Sequence, residues 1–143
     1  MTADETVRLD LPGNGRYLGL LGPCIHEMLT VAGGVPDSSE LSRRLQLAVH
    51  EACANIVDHA YRDGRTGRIR ISLTVTTSPR RLIVDLHDTG EAFDPSTVPP
   101  PNLEEGQVHG YGLYLIRQVM DEVVYYPERG NNRWHLVKDL ESQ

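Results

Sequence analysis

Apolar residues recur along this chain with two different spacings, which predict two kinds of secondary structure. In three segments they fall every three or four positions, the spacing of an amphipathic helix that buries one stripe. In five shorter segments they alternate with polar residues, the pattern of a strand with one buried face. The predicted helices cover Arg16–Val31, Ser38–Tyr61 and Gly110–Asp121, and the predicted strands cover Val7–Leu11, Arg68–Thr76, Arg81–His87, Val123–Tyr126 and Asn132–Leu140.

The order of these elements is strand, two helices, two strands, helix and two strands, which predicts an α+β fold. We expect a two-layer sandwich in which helices cover one face of a mixed, mainly antiparallel sheet. Ser38 or Ser39 is expected to cap the second helix, and the proline-rich segment from Asp94 to Val108 is expected to form a long, lid-like loop. A length of 143 residues suits one domain, so residues 1–143 are predicted to fold as a single unit.

Composition narrows the classes of partner. The formal net charge is -6, so the chain lacks the excess of Lys and Arg that non-specific nucleic-acid binding needs. The N-terminus has no signal-like region, and no apolar run reaches the length of a membrane span. We therefore expect a cytoplasmic protein that contacts neither nucleic acid nor membrane, with Cys24 and Cys53 as reduced core thiols.

Three polar residues stand at successive i, i+4 positions of the second predicted helix: Glu51, Asn55 and His59. They flank the apolar stripe that begins at Leu45 and ends at Ala60. A carboxylate and an amide held in this way could serve as a base and a metal ligand. The triplet alone equally fits a solvated helix edge, so this alternative stays open until the other motifs are considered.

A second cluster stands where a predicted strand ends. Asp88 is followed two residues later by Gly90, which places a carboxylate beside a backbone that a flat ligand can approach closely. Such a carboxylate suits the exocyclic amine of adenine. An ordinary turn explains the same residues when they are taken alone.

A third cluster, Gly110-Tyr111-Gly112-Leu113, follows the proline-rich segment and begins the third predicted helix. Unpaired amides at the N-terminus of a helix bind phosphate, and glycines let the backbone come near it. A capping turn accounts for this cluster equally well on its own.

Taken in chain order, ExxxNxxxHAY, DxGxxFDP, the proline-rich loop and GxGLxLI resemble the nucleotide-binding boxes of the GHKL superfamily of ATPases. The ordered set is far more specific than any one motif. Within the superfamily, the segments Asn55–Tyr61, Asp88–Pro95 and Gly112–Val123 resemble those of the small anti-sigma-factor serine/threonine protein kinases. The resemblance covers almost the whole chain and implies the Bergerat fold, also called the histidine-kinase-like ATPase fold.

This resemblance implies a protein that binds ATP and Mg2+, holds a sigma factor as a homodimer, and phosphorylates a serine on an anti-anti-sigma antagonist. It makes Glu51 the general base and Asn55 a nucleotide-site residue that ligates magnesium. Asp88 would receive the adenine amine, and Gly90 would allow close approach. The residues shaping the contact with the phosphates would be Gly110, Tyr111, Gly112 and Leu113, while the resemblance leaves His59 a supporting role.

Two departures from the superfamily pattern bear on catalysis. Ala92 stands where a glycine is often found, and Asp58 stands where related ATPases often have a basic residue facing phosphate. The second departure keeps an alternative open, in which a nucleotide-binding partner-switch protein inhibits a regulator by binding alone. A zinc-protease HExxH site is excluded because Ala54 replaces its second histidine, and P-loop and eukaryotic-type kinase motifs are missing from the sequence.

Overall fold

A computed structural model describes residues 4–61, 67–90, 111–128 and 130–141. Its elements follow the predicted order, with one additional short 3-10 helix over Gly15–Leu20. The helices are α1 (Leu21–Ala32), α2 (Ser38–Ala60) and α3 (Tyr111–Val119), and the strands are β1 (Glu5–Pro12), β2 (Arg68–Val75), β3 (Arg81–Asp88), β4 (Glu122–Tyr126) and β5 (Asn132–Asp139).

The five strands form one open sheet in the order β1-β2-β3-β5-β4, and all four neighbouring pairs are antiparallel. Alternation along β3 buries Leu82, Val84 and Leu86 on the inner face. The three helices pack on that face, where α2 contacts both α1 and α3. The predicted α+β sandwich, with helices on one face of a mainly antiparallel sheet, is therefore confirmed.

Helix α2 lies at the centre of the helical layer because its apolar residues recur with helical spacing over 23 residues. It begins at Ser38, so the prediction that Ser38 or Ser39 caps it is wrong. Asp37 occupies the N-cap position with φ of 48°, and its side chain makes no capping hydrogen bond. The buried stripe consists of Leu41, Ser42, Leu45, Ala48, Val49, Ala52, Cys53, Ile56 and Ala60.

The first predicted helix is divided in two. Residues Gly15–Leu20 form the 3-10 helix, and α1 begins at Leu21. Pro23 explains the division, because a proline inside a continuous α-helix removes one hydrogen bond and clashes with the preceding turn, whereas the first turn of a helix tolerates it. Pro23 stands at the third position of α1, within that first turn.

Large side chains fill the space between the layers. Trp134 is buried on β5, and its ring centroid lies 4.6 Å from that of Tyr125. Both cysteines are free. Cys53 is fully buried, which raises the pKa of its thiol to about 12, whereas Cys24 is only partly buried at the edge of the core. No helix in the described part of the chain is long and apolar enough to cross a membrane.

Two leucines of α2 test this arrangement. Leu45 is fully buried, whereas Leu47 is 49% exposed. Leu45→Ala is expected to lower the free energy of unfolding by about 2–5 kcal/mol, because it removes buried methyl groups and leaves a cavity. Leu47→Ala makes the same change in helix propensity on the exposed side and is expected to cost less than about 0.5 kcal/mol. Urea denaturation measures both values, and equal losses in the two variants would contradict the assigned face of α2.

Candidate functional site

Helix α2 presents its predicted polar triplet at the edge of the buried stripe. Glu51, Asn55 and His59 are all partly exposed, neither sequestered in the core nor fully solvated. Successive members stand four residues apart, a rise of about 6 Å along the helix axis. Asp58, the unexpected acidic residue of the same motif, is exposed.

The N-terminal turn of α3 lies against Glu51. A Cβ atom added to Gly112 would stand only 2.6 Å from Oε2 of Glu51. Helices α2 and α3 can therefore approach each other here because Gly112 has no side chain. Leu113, the next residue, is buried in the core and fixes this turn to the rest of the protein. The structure thus brings the first and third predicted motifs together.

The segment that leaves β3 lies against the other end of the same helix. A Cβ atom on Gly90 would stand 2.3 Å from the carbonyl oxygen of Ala60, a backbone atom that cannot move aside without distorting α2. Gly90 and Gly112 therefore contact α2 nine residues apart, a separation of about 13 Å along the axis. The polar triplet lies between these two contacts.

Asp88 is the last residue of β3 and continues the inner-face row of Leu82, Val84 and Leu86, yet it is only 3% exposed. Its Oδ1 atom accepts hydrogen bonds from the Gly90 amide and from Nδ2 of Asn132, each at 3.0 Å. Its Oδ2 atom makes no hydrogen bond to any residue that the structure describes. The carboxylate thus has one oxygen held in place and one oxygen available as an acceptor.

Asn132 is fully buried opposite Asp88 on β5. Besides its bond to Asp88, its Nδ2 atom donates to the carbonyl oxygen of Gly90 at 3.0 Å, and its Oδ1 atom accepts from the Glu128 amide at 3.1 Å. Burial raises the pKa of the Asp88 carboxyl, and the hydrogen bonds from Asn132 and Gly90 and the nearby His87 partly offset that rise. Asn132 therefore both orients the carboxylate and favours its charged form.

Tyr61 ends α2 and joins it to the exit of β3. Its hydroxyl donates to the carbonyl oxygen of Arg68 at 2.6 Å and accepts from the Thr89 amide at 3.1 Å. Its ring fits against two glycines, since a Cβ atom would stand 2.6 Å from the ring at Gly13 and 2.2 Å from it at Gly67. Because Thr89 lies between Asp88 and Gly90, this hydroxyl helps to position the carboxylate turn relative to α2.

Asn132 and Tyr61 are the site residues that the sequence did not reveal. Asn132 reads as the first residue of a hairpin strand, and only the strand register places it opposite Asp88. Tyr61 belongs to the His-Ala-Tyr motif, and the signal for its contacts is the pair of distant glycines that accommodate its ring. Of the predicted residues, Gly110 lies outside the described part of the chain, as do Ala92 and the Asp94–Val108 segment, and Tyr111 is described only as the first residue of α3.

Chemically, the site has few charged groups. No group of three His, Cys, Asp or Glu side chains among the described residues could hold a metal ion by itself. A Mg2+ ion that shares phosphate oxygens and keeps several waters needs only one or two protein ligands. A surface hollow of about 540 Å³ lies between α1 and the β1 edge, and none of the predicted site residues line it.

Comparisons with known proteins identify a family. The histidine kinase-like ATPase domain family matches residues 21–137. The serine-protein kinase RsbW of Bacillus subtilis is 31% identical over 128 residues, which cover 83% of this chain and 76% of the relative. The serine-protein kinase RsbW of Staphylococcus epidermidis is 30% identical over 141 residues, covering 90% and 84%.

Two solved structures share the fold. The RsbU and RsbW domains of Rv1364c from Mycobacterium tuberculosis superpose with a TM-score of 0.69 at 14% identity, over 97% of this chain and 33% of that one. The chain thus spans about a third of that solved protein. The blue-light activated histidine kinase EL346 of Erythrobacter litoralis gives a TM-score of 0.60 at 22% identity, over 90% and 42%. With its family match, its fold and these relatives, the chain belongs to the histidine kinase-like ATPase domain family, alongside the serine-protein kinases named RsbW.

Proposed function

We propose that this protein is an ATP-dependent protein-serine/threonine kinase that phosphorylates a serine on an anti-anti-sigma antagonist and sequesters a sigma factor. In this proposal it acts in the cytoplasm as a homodimer, with Mg2+ bound alongside ATP. The relatives named serine-protein kinase RsbW support the kinase activity. The observation that carries the nucleotide site is the nearly buried Asp88 carboxylate, with Oδ1 held by Asn132 and Gly90 and Oδ2 available.

The Asp88 geometry suits adenine. The exocyclic amine of adenine is a hydrogen-bond donor, and Oδ2 of Asp88 is an acceptor in a site that water barely reaches. The missing side chain of Gly90 makes room for α2 and not for the ring, since a Cβ atom there would stand 2.3 Å from the carbonyl oxygen of Ala60. A base with a carbonyl oxygen in place of the amine would bring two acceptors together and is expected to bind more weakly.

At the other end of the site, Glu51 serves as the general base. It accepts the proton of the substrate serine hydroxyl as that oxygen bonds to the γ-phosphorus of ATP, while the bond from this phosphorus to the bridging oxygen breaks and ADP leaves. Asn55 would hold Mg2+ through its side-chain oxygen, and the ion would supply neutralisation of phosphate charge. Gly112 lets the N-terminal turn of α3 lie beside Glu51, where unpaired helix amides favour the phosphates.

Asp88→Asn tests recognition of adenine. The Asn oxygen is expected to take the place of Oδ1 because two N–H groups point at that position, which leaves an amide N–H₂ facing the adenine amine. We expect the affinity for ATP to fall by about tenfold or more. The affinity for inosine triphosphate, which has a carbonyl in place of the exocyclic amine, is expected to fall much less. Calorimetric titration measures both affinities. Asp85→Asn, on the outer face of β3, is the control, and unchanged ATP affinity in Asp88→Asn would contradict the site.

Glu51→Gln tests the transfer step. It keeps the size of the side chain and removes its basic oxygen, so transfer is expected to fall by about 10²–10⁴-fold while ATP affinity changes little. Phosphoserine on the antagonist is measured by mass spectrometry, with Glu27→Gln on the exposed side of α1 as the control. Transfer at the wild-type rate would remove Glu51 from this role. If the wild-type protein binds ATP and antagonist without producing phosphoserine, the non-catalytic partner-switch alternative replaces the kinase.

Tyr61→Phe tests the link between α2 and the adenine turn. Removal of the hydroxyl leaves the Thr89 amide and the Arg68 carbonyl without their partner, which is expected to cost about 1–3 kcal/mol of stability and to weaken ATP binding severalfold. Tyr17→Phe is the matched control, because Tyr17 is 44% exposed. Denaturation and calorimetric titration are the measurements. Wild-type stability and ATP affinity in Tyr61→Phe would show that the hydroxyl does not position the turn.

A further inference from the structure

The outer face of the sheet, opposite the helices, carries a straight row of cationic and aromatic side chains. Arg70 on β2 stands opposite His87 on β3, His87 stands opposite Arg133 on β5, and Arg133 stands opposite Tyr126 on β4. We call these four residues the arginine row. Neighbouring strands are about 4.8 Å apart, so the Cα atoms of the two arginines lie about 10 Å from each other.

The arginines of this row have no acidic partner within the described part of the chain. Asp10 is the carboxylate that stands opposite Arg70 in the strand register. Its Oδ1 atom instead accepts from Nε of Arg68 at 2.6 Å, and its carbonyl oxygen accepts from the same guanidinium at 3.0 Å. Among the described residues neither Arg70 nor Arg133 forms an ion pair.

The two arginines stand on β2 and β5 with β3 between them, so two cationic side chains project from the same outer face about 10 Å apart. The chain has 20 acidic residues against 14 Lys and Arg, yet no carboxylate among the described residues pairs with either arginine. The arginine row is therefore a candidate binding surface.

The surroundings of the row suit a protein ligand. A hollow of about 680 Å³ lies beside it, and its charged and titratable lining residues are Arg8, Asp10, Arg68, Arg70, His87 and Asp88. The guanidinium of Arg133 lies over the ring of Tyr126 at 4.4 Å from its centroid, and this stacking holds the charge in a defined place. Arg and Tyr are also residue types that are enriched at protein interfaces.

We propose that the arginine row is a docking surface for an acidic segment of a partner protein, one that carries at least two Asp or Glu side chains. Carboxylates of that segment would pair with Arg70 and Arg133, which form no ion pair with any residue that the structure describes. A second copy of this chain would present the same unpaired arginines and add repulsion. Nucleic acid would meet the overall charge of -6, which disfavours a polyanion spread over a larger surface.

The arginine row also lies on the opposite face of the sheet from Asp88 and Asn132, at the same ends of β3 and β5. Because side chains alternate along a strand, His87 and Arg133 point to the outer face where their neighbours Asp88 and Asn132 point inward. The docking surface and the proposed adenine site thus use opposite faces of the same two strand ends, the end of β3 and the start of β5. The docking proposal does not depend on the identity of the nucleotide.

A fluorescent oligoglutamate peptide is the probe, and its anisotropy with the 143-residue chain is measured at low and at physiological ionic strength. We expect binding that weakens as salt increases. The double variant Arg70→Glu with Arg133→Glu is expected to weaken it by about tenfold or more. The double variant Arg16→Glu with Arg44→Glu makes the same change in net charge on exposed helical positions and is expected to retain most of the binding.

Three results would overturn the proposal. They are no binding of oligoglutamate by the wild-type protein at low salt, an equal loss in the Arg16 and Arg44 control, and tighter binding of a DNA duplex than of the peptide through the same two arginines. The last result would assign the row to nucleic acid. If the charge-reversed variant does not fold, Arg70→Gln with Arg133→Gln takes its place, and unchanged peptide binding in that variant equally contradicts the proposal.

Discussion

The rest of the site depends on a nearly buried carboxylate, Asp88, of which one oxygen is held and the other accepts no hydrogen bond from a described residue. An isolated charge in this position would be costly, and burial alone pushes Asp88 toward its neutral form. Asn132 and the Gly90 amide counter this by donating to the same oxygen. The arrangement satisfies the charge without using both of its acceptor atoms, so the carboxylate remains able to recognise a donor such as the adenine amine.

Helix α2 sets the distance between the Asp88 turn and the other end of the site. Its apolar stripe anchors it in the core, and its partly exposed edge carries Glu51, Asn55 and His59. Gly112 contacts one end of that edge and Gly90 the other. Since both contacts depend on the absence of a side chain, the rise of the helix sets the separation between the proposed transfer end and the proposed adenine end. Tyr61 then fastens the adenine end to the sheet through two hydrogen bonds.

Much of the fold could be predicted because long periodic patterns dominate the sequence. Strands β2 and β3 begin at the predicted residues, Arg68 and Arg81, since buried leucines, isoleucines and valines mark their inner faces. The division of the first helix at Leu21 was not predicted, because the apolar spacing continues through Pro23 and conceals a backbone constraint. The predicted serine cap is wrong because Asp37 takes the N-cap position in a left-handed conformation. The loop before α2 sets this conformation, and apolar periodicity carries no information about it.

The site shows the same division between local and long-range information. Glu51, Asn55, Asp88 and Gly90 stand in motifs whose order along the chain resembles the GHKL nucleotide-binding boxes, and this resemblance implies their roles. The pairing of Asp88 with Asn132 depends on a strand register across 44 residues, and the contacts of Tyr61 depend on glycines in two separate turns. Such contacts have no periodic signature, which is why sequence reasoning identified the carboxylate but not the residues that hold it.

The most direct test is a crystal structure of the protein with Mg2+ and a non-hydrolysable ATP analogue. The account predicts that the exocyclic amine of adenine donates to Oδ2 of Asp88 at about 2.9 Å, with Oδ1 still bound by Asn132 and Gly90. It also predicts the triphosphate beside Asn55 and the first turn of α3. An analogue bound with its base away from Asp88, or an adenine amine without a contact to that carboxylate, would contradict the account.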